Sequence, residues 1–107
     1  VFLVIDHMRP WISTNIPSKL FEYLSMNRPI LSLGGEGAVS SLLGRLNGGV
    51  HVQGDSVPAI VAALKNLYHD RVNGKLVSGI DVELLSQFHR KKLTHKLAIC
   101  FDSLLED

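Results

Sequence analysis

Ile16-Pro17-Ser18-Lys19-Leu20-Phe21-Glu22-Tyr23-Leu24-Ser25-Met26-Asn27-Arg28-Pro29-Ile30-Leu31 carries a helix start, a helix stop and the opening of a strand in sixteen residues. Pro17 and Ser18 suit the first turn of a helix, where a missing N–H costs nothing and a side-chain oxygen can cap. Leu20, Phe21 and Leu24 supply an apolar stripe at helical spacing, predicting a helix over 18–26. Asn27 can take the left-handed conformation that closes a helix. Pro29 opens a strand, a position where proline is tolerated. Lys19 and Glu22 lie one turn apart near the positive end of the helix dipole, a place that suits an anion such as phosphate.

Working outward, Val1 to Ile5 is a continuous apolar run, the pattern of a strand buried on both faces. Asp6 to Asn15 is polar and irregular, broken by Pro10 and Trp11, and reads as a βα loop. Pro29 to Leu33 is a second strand. Gly34-Gly35-Glu36-Gly37 turns into a helix over 38–46, which Asn47-Gly48-Gly49 terminates. Val50 to Gln53 is a short third strand. Asp55 or Ser56 caps a third helix with Pro58 in its first turn. Val57, Ile60, Val61, Leu64, Leu67 and Tyr68 keep helical spacing. After a polar break over 70–79, segments 81–88 and 89–106 are helical in pattern, the latter with a stripe of Leu93, Leu97, Cys100, Phe101 and Leu104. Alternating strands and helices predict a parallel sheet with right-handed crossovers. The fold class is α/β: a partial Rossmann-like three-layer domain of three parallel strands, flanking helices and two C-terminal helices. Such sheets bind ligands at the C-terminal ends of their strands, where the loop after Ile5 and the turn after Leu33 fall.

The chain has 107 residues, enough for one domain or part of one, and 46% of them are hydrophobic, too many for disorder. A net charge of +1 gives no ground for bulk electrostatic binding to nucleic acid. One cysteine, Cys100, excludes an internal disulfide and fits a reducing compartment. No run approaches the roughly 18 apolar residues of a membrane span. The opening directly inside an apolar strand suggests a C-terminal piece of a longer protein.

The residues Pro17, Ser18, Lys19, Glu22, Tyr23, Leu24, Arg28 and Pro29, with their helix-to-strand order, resemble the nucleotide-sugar site of retaining glycosyltransferases of the GT-B fold, group 1 type. The Pro-Ser-Lys and Glu-Tyr-Leu variant recurs in polysaccharide-assembling members. The resemblance implies that residues 1–107 are the latter half of the C-terminal nucleotide-sugar-binding domain of a two-domain enzyme. That enzyme would move a sugar from a nucleotide-diphosphate donor, UDP-linked, to a saccharide or lipid-linked acceptor with retention. It would be cytoplasmic and would need neither cofactor nor metal.

On this resemblance Glu22 binds the donor ribose; a carboxylate can accept two hydroxyls at once. The alternative is an exposed helix Glu favoured by the dipole. Ser18, Lys19 and Leu20 are the candidates for the diphosphate, through the backbone amides of Lys19 and Leu20 above all, with the Ser18 hydroxyl and the Lys19 ammonium assisting. An ordinary cap followed by a solvated Lys is the bland counterpart. Many group 1 enzymes carry a second Glu eight positions before the ribose-binding one, near the transferred sugar; here that position is Thr14, and no Glu lies between Val1 and Phe21. Thr14 and Asn15 are then the candidate donor-sugar loop, with His7 and Arg9 nearby, and the catalytic residues are unassigned.

Gly34 and Gly35 form a second tier. They follow a strand and precede a helix, as a phosphate loop does, but a tight βα turn needs glycines for steric reasons alone. His7, His51, His69, His89 and His95 show no metal spacing with Cys100. His7 alone falls at the functional edge. The cluster His89, Arg90, Lys91, Lys92, His95 and Lys96 reads as the solvated face of an amphipathic helix, with peripheral contact to the inner face of an anionic membrane as the other reading. Two rival functions remain: a nucleotide-sugar epimerase of the same fold, whose acid and base cannot be located here, and a non-catalytic α/β interaction domain.

Overall fold

Each apolar run becomes a strand and each stripe a helix, giving β1 (Phe2–Ile5), α1 (Ser18–Ser25), β2 (Ile30–Gly34), α2 (Ala38–Leu46), β3 (Gly49–Gln53), α3 (Val57–Val72), α4 (Val82–Ser86) and α5 (Arg90–Leu104). The computed structural model describes residues 1–9, 14–76 and 79–106. The expected break at Pro10 and Trp11 lies outside the described residues. The strands form one parallel sheet in the order β1-β2-β3, with Phe2 opposite Ile30 and Ile30 opposite Gly49. Sequential order with parallel pairing requires two crossovers of one hand, and these carry α1 and α2 to the same face.

That face holds the core. Val4, Leu20, Leu24, Ile30, Val39, Leu42, Leu43 and Leu46 form one buried cluster joining the sheet to α1 and α2. Each fully buried Leu contributes about 1.5–3 kcal/mol of transfer free energy. Tyr23 stacks on Phe2, with centroids 4.4 Å apart and planes 6° apart, so the tyrosine of the Glu-Tyr-Leu motif anchors α1 to β1. Both helix stops behave as their asparagines predict: Asn27 and Asn47 have φ of 54° and 49°. Ser56, rather than Asp55, caps α3 by accepting from the Ala59 N–H at 3.4 Å. A Cβ on Gly49 would collide with the backbone carbonyl oxygen of Ile30, so only glycine fits there.

Two expectations fail. β1 is not buried on both faces: Val4 is buried, while Leu3 and Ile5 are 50% and 69% exposed. Leu3 and Ile5 point to the second face, where α3 packs against β3 and leaves β1 open. The stripe on α5 finds no cover either. Every described residue of that helix is exposed, including Leu93, Leu97, Phe101 and Leu104. Beyond α3 the described contacts with the core come from α4 and its flanks, through Ile80, Leu84, Leu85 and Phe88. No helix among the described residues is long and apolar enough to cross a membrane.

Candidate functional site

The helix α1 begins at the C-terminal edge of the sheet, as βα order requires. Its N-cap is Pro17, in extended conformation (φ −60°, ψ 137°), with no side-chain cap. Ser18 is therefore the first helical residue, and its hydroxyl does not cap the helix as expected. The Leu20 N–H donates to the Pro17 carbonyl at 3.0 Å, and the Leu20 side chain is fully buried. Of the two amides suggested by sequence, that of Leu20 is therefore engaged, while that of Lys19, together with the amide of Ser18, has no acceptor among the described residues. These two are the orphan donors that every helix start exposes.

Glu22 projects one turn further along α1 and is exposed. Its backbone carbonyl accepts from the Ser25 hydroxyl at 2.6 Å, and its carboxylate has no partner among the described residues. Ser18 and Glu22 share the wall of a groove of about 410 Å³ with Phe88, His89 and Arg90. Phe21 and Phe88 fix its width: their rings lie 5.7 Å apart, tilted by 37°. The volume falls within the range of small-molecule clefts, about 300–1,000 Å³.

The remaining candidates lie elsewhere on the sheet edge. The Asp6 N–H donates to the Leu33 carbonyl at 2.7 Å and the Gly35 N–H to the His7 carbonyl at 3.0 Å, so the loops after β1 and β2 are zipped together. A Cβ on Gly35 would stand 2.6 Å from the Met8 carbonyl oxygen. The Gly-Gly pair thus lets two loops touch, which is the steric reading of that turn. Thr14 and Asn15 are exposed and do not line the groove beside Glu22. The Lys19 side chain is also exposed and outside that groove. Ser18 and Glu22 are brought together; Thr14, Asn15, Gly34 and Gly35 are not joined to them.

Sequence reasoning passed over three residues. Asp6 ends β1 with one carboxylate oxygen accepting the His7 N–H at 2.8 Å and the other buried without a partner. His89 and Arg90, read only as part of a basic cluster, face the same groove as Glu22. The signal that could have found them was electrostatic: α5 opens on Arg90, Lys91 and Lys92 with no acid in its first turn. No group of three or more His, Cys, Asp or Glu among the described residues could hold a metal ion, and Cys100 is a free, exposed thiol.

The geometry defines a three-stranded parallel α/β unit with a largely apolar groove, carrying Glu22 and Arg90, beside the start of its first helix. Comparison with protein-family models, with curated proteins and with solved structures gives no match to this chain.

Proposed function

We propose that this chain is the donor-binding part of a retaining glycosyltransferase that uses a nucleotide-diphosphate sugar, UDP-linked, and passes the sugar to a saccharide or lipid-linked acceptor held by another domain. Glu22 accepts the ribose hydroxyls. The free N–H groups of Ser18 and Lys19 hold the diphosphate, stabilising the charge that develops as the bond from the sugar's anomeric carbon to the diphosphate oxygen breaks.

The observation that carries the reading is the Glu22 carboxylate. It is exposed, unpartnered among the described residues, and set beside Ser18 on a groove wall, so it is free to accept hydrogen bonds. The open apolar surface of Leu3 and Ile5 on β1 supports reading the unit as part of a larger body. On this reading the 107-residue chain alone binds UDP and transfers no sugar, because the acceptor side is not in it. Calorimetric titration with UDP tests the first half, and a turnover assay with UDP-sugars tests the second. Saturable UDP binding without turnover is expected. A chain that binds no UDP at millimolar concentration returns the protein to the interaction-domain class.

A further inference from the structure

Helix starts favour negative charge, because unpaired N–H groups and the dipole make them positive. α5 opens against this rule with Arg90, Lys91 and Lys92 and no acid in the first turn. α1 opens similarly, with Lys19 and no acid. Lys92 donates to the Ser86 hydroxyl at 2.8 Å, but the Arg90 guanidinium has no hydrogen-bond or ion-pair partner among the described residues. Arg90 also lines the groove of about 410 Å³ whose other wall carries Ser18 and Glu22. The rule is broken on the groove itself only at the α5 start, since Lys19 lies outside it, and the acid on the groove, Glu22, makes no ion pair with Arg90 among the described residues. An anion in that groove would relieve the conflict at α5.

We infer that Arg90 is a diphosphate-binding residue, meeting across the groove the same ligand whose ribose Glu22 holds. The inference rests on the donor reading of Glu22. A guanidinium suits this role because it is always charged and offers a planar fork of donors that matches two phosphate oxygens. Glu22 and Arg90 then divide the ligand by chemistry. The carboxylate takes neutral hydroxyls and would repel phosphate; the guanidinium takes phosphate and is indifferent to hydroxyls. α5, which contributes nothing buried to the core, acquires a purpose as the element that carries Arg90.

The test uses three probes, UDP, uridine and inorganic pyrophosphate, titrated into wild type, Glu22→Gln, Arg90→Gln and Arg90→Lys, with Arg45→Gln on α2 as a control for general loss of positive charge. Amide chemical shifts report both affinity and an intact fold. Arg90→Gln should weaken UDP and pyrophosphate roughly 10- to 150-fold and leave uridine unchanged. Arg90→Lys should recover part of the loss, and Arg45→Gln should change nothing. Glu22→Gln should weaken UDP and uridine and leave pyrophosphate unchanged. If pyrophosphate binds Arg90→Gln as it binds wild type while UDP still depends on Glu22, the Arg90 assignment falls and the donor reading stands. If Arg90 governs pyrophosphate but uridine ignores Glu22→Gln, the anion contact stands and the ribose assignment falls. Wild type that binds none of the three overturns both.

Discussion

Glu22 and Leu24 lie two positions apart on one helix and should respond to alanine in opposite ways. Glu22 is exposed and its side chain has no partner in the described fold. Truncation removes no contact, and alanine is the best helix former, so stability should stay within about 0.5 kcal/mol of wild type. Leu24 is 1% exposed and belongs to the buried cluster. Its replacement by Ala removes transfer free energy and leaves a cavity between α1 and the sheet, at a cost of about 2–5 kcal/mol. For a domain of this size each kcal/mol moves the midpoint by about 4–8 °C, so Glu22→Ala should melt within about 4 °C of wild type and Leu24→Ala at least about 8 °C below it. The ligand response inverts the order. Glu22→Ala should weaken UDP binding tenfold or more, about 1.4 kcal/mol. Leu24→Ala, measured well below its own midpoint, should bind UDP nearly as wild type does. Thermal denaturation followed by circular dichroism, paired with UDP titration of the same samples, reads both axes. A fall in midpoint for Glu22→Ala as large as that for Leu24→Ala would show that the carboxylate supports the fold and is not held free for a ligand.

The glycines of β3 and α2 should also separate. Gly49→Ala drives a methyl into the Ile30 carbonyl and should cost about 2–4 kcal/mol through overpacking and a disturbed ladder, whereas Gly44→Ala meets nothing within 4 Å and should gain about 0.5–1 kcal/mol; urea midpoints with unchanged slopes check both. Ser32 is fully buried and lies 3.1 Å from His51 Nδ1, whose other ring nitrogen is already buried without a partner. Ser32→Ala strands the whole imidazole and should cost about 1–3 kcal/mol in the same urea experiment; a neutral result would mean that the pair adds nothing to the fold.

Local chemistry made much of the fold legible. The boundaries of α2 agree with the sequence reading residue for residue because Gly37 and Asn47 punctuate both ends, and the asparagine stops were readable because few residues tolerate positive φ. Strand order followed from alternation and handedness. The burial of β1 was not legible, since an apolar run states a preference and not which faces neighbours cover. The stripe on α5 misled in the same way: Leu93 and Leu97 have the spacing of a packed helix and pack on nothing described. Within the candidate site, Ser18 and Glu22 were visible because they share one helix. Arg90 was not, because sixty-eight positions separate it from Glu22 and tertiary contacts such as Phe21–Phe88 draw them to one groove.

Asn47 closes α2 in a left-handed turn and is followed by Gly48, the pairing most prone to spontaneous loss of its side-chain ammonia. That ageing reaction needs the glycine nitrogen to attack the asparagine side-chain carbon. In the folded chain the Gly48 N–H donates to the Leu43 carbonyl at 3.1 Å, and the Asn47 amide is held on the Gly79 carbonyl at 2.9 Å. Asn73 precedes Gly74 at the end of α3, where the Gly74 N–H likewise donates, to the Arg71 carbonyl at 3.3 Å, but the Asn73 side-chain amide has no partner among the described residues. The chain therefore contains two chemical clocks of identical composition and different rate. The one at Asn73, whose side chain is not held, is expected to run faster in the native state. The one at Asn47, held at both the side chain and the glycine nitrogen, is expected to be slower, and once it has run, the new carboxylate faces the Gly79 carbonyl, acceptor against acceptor, leaving the Asp81 N–H on the Leu46 carbonyl at 2.8 Å as the remaining tether of the segment leading into α4.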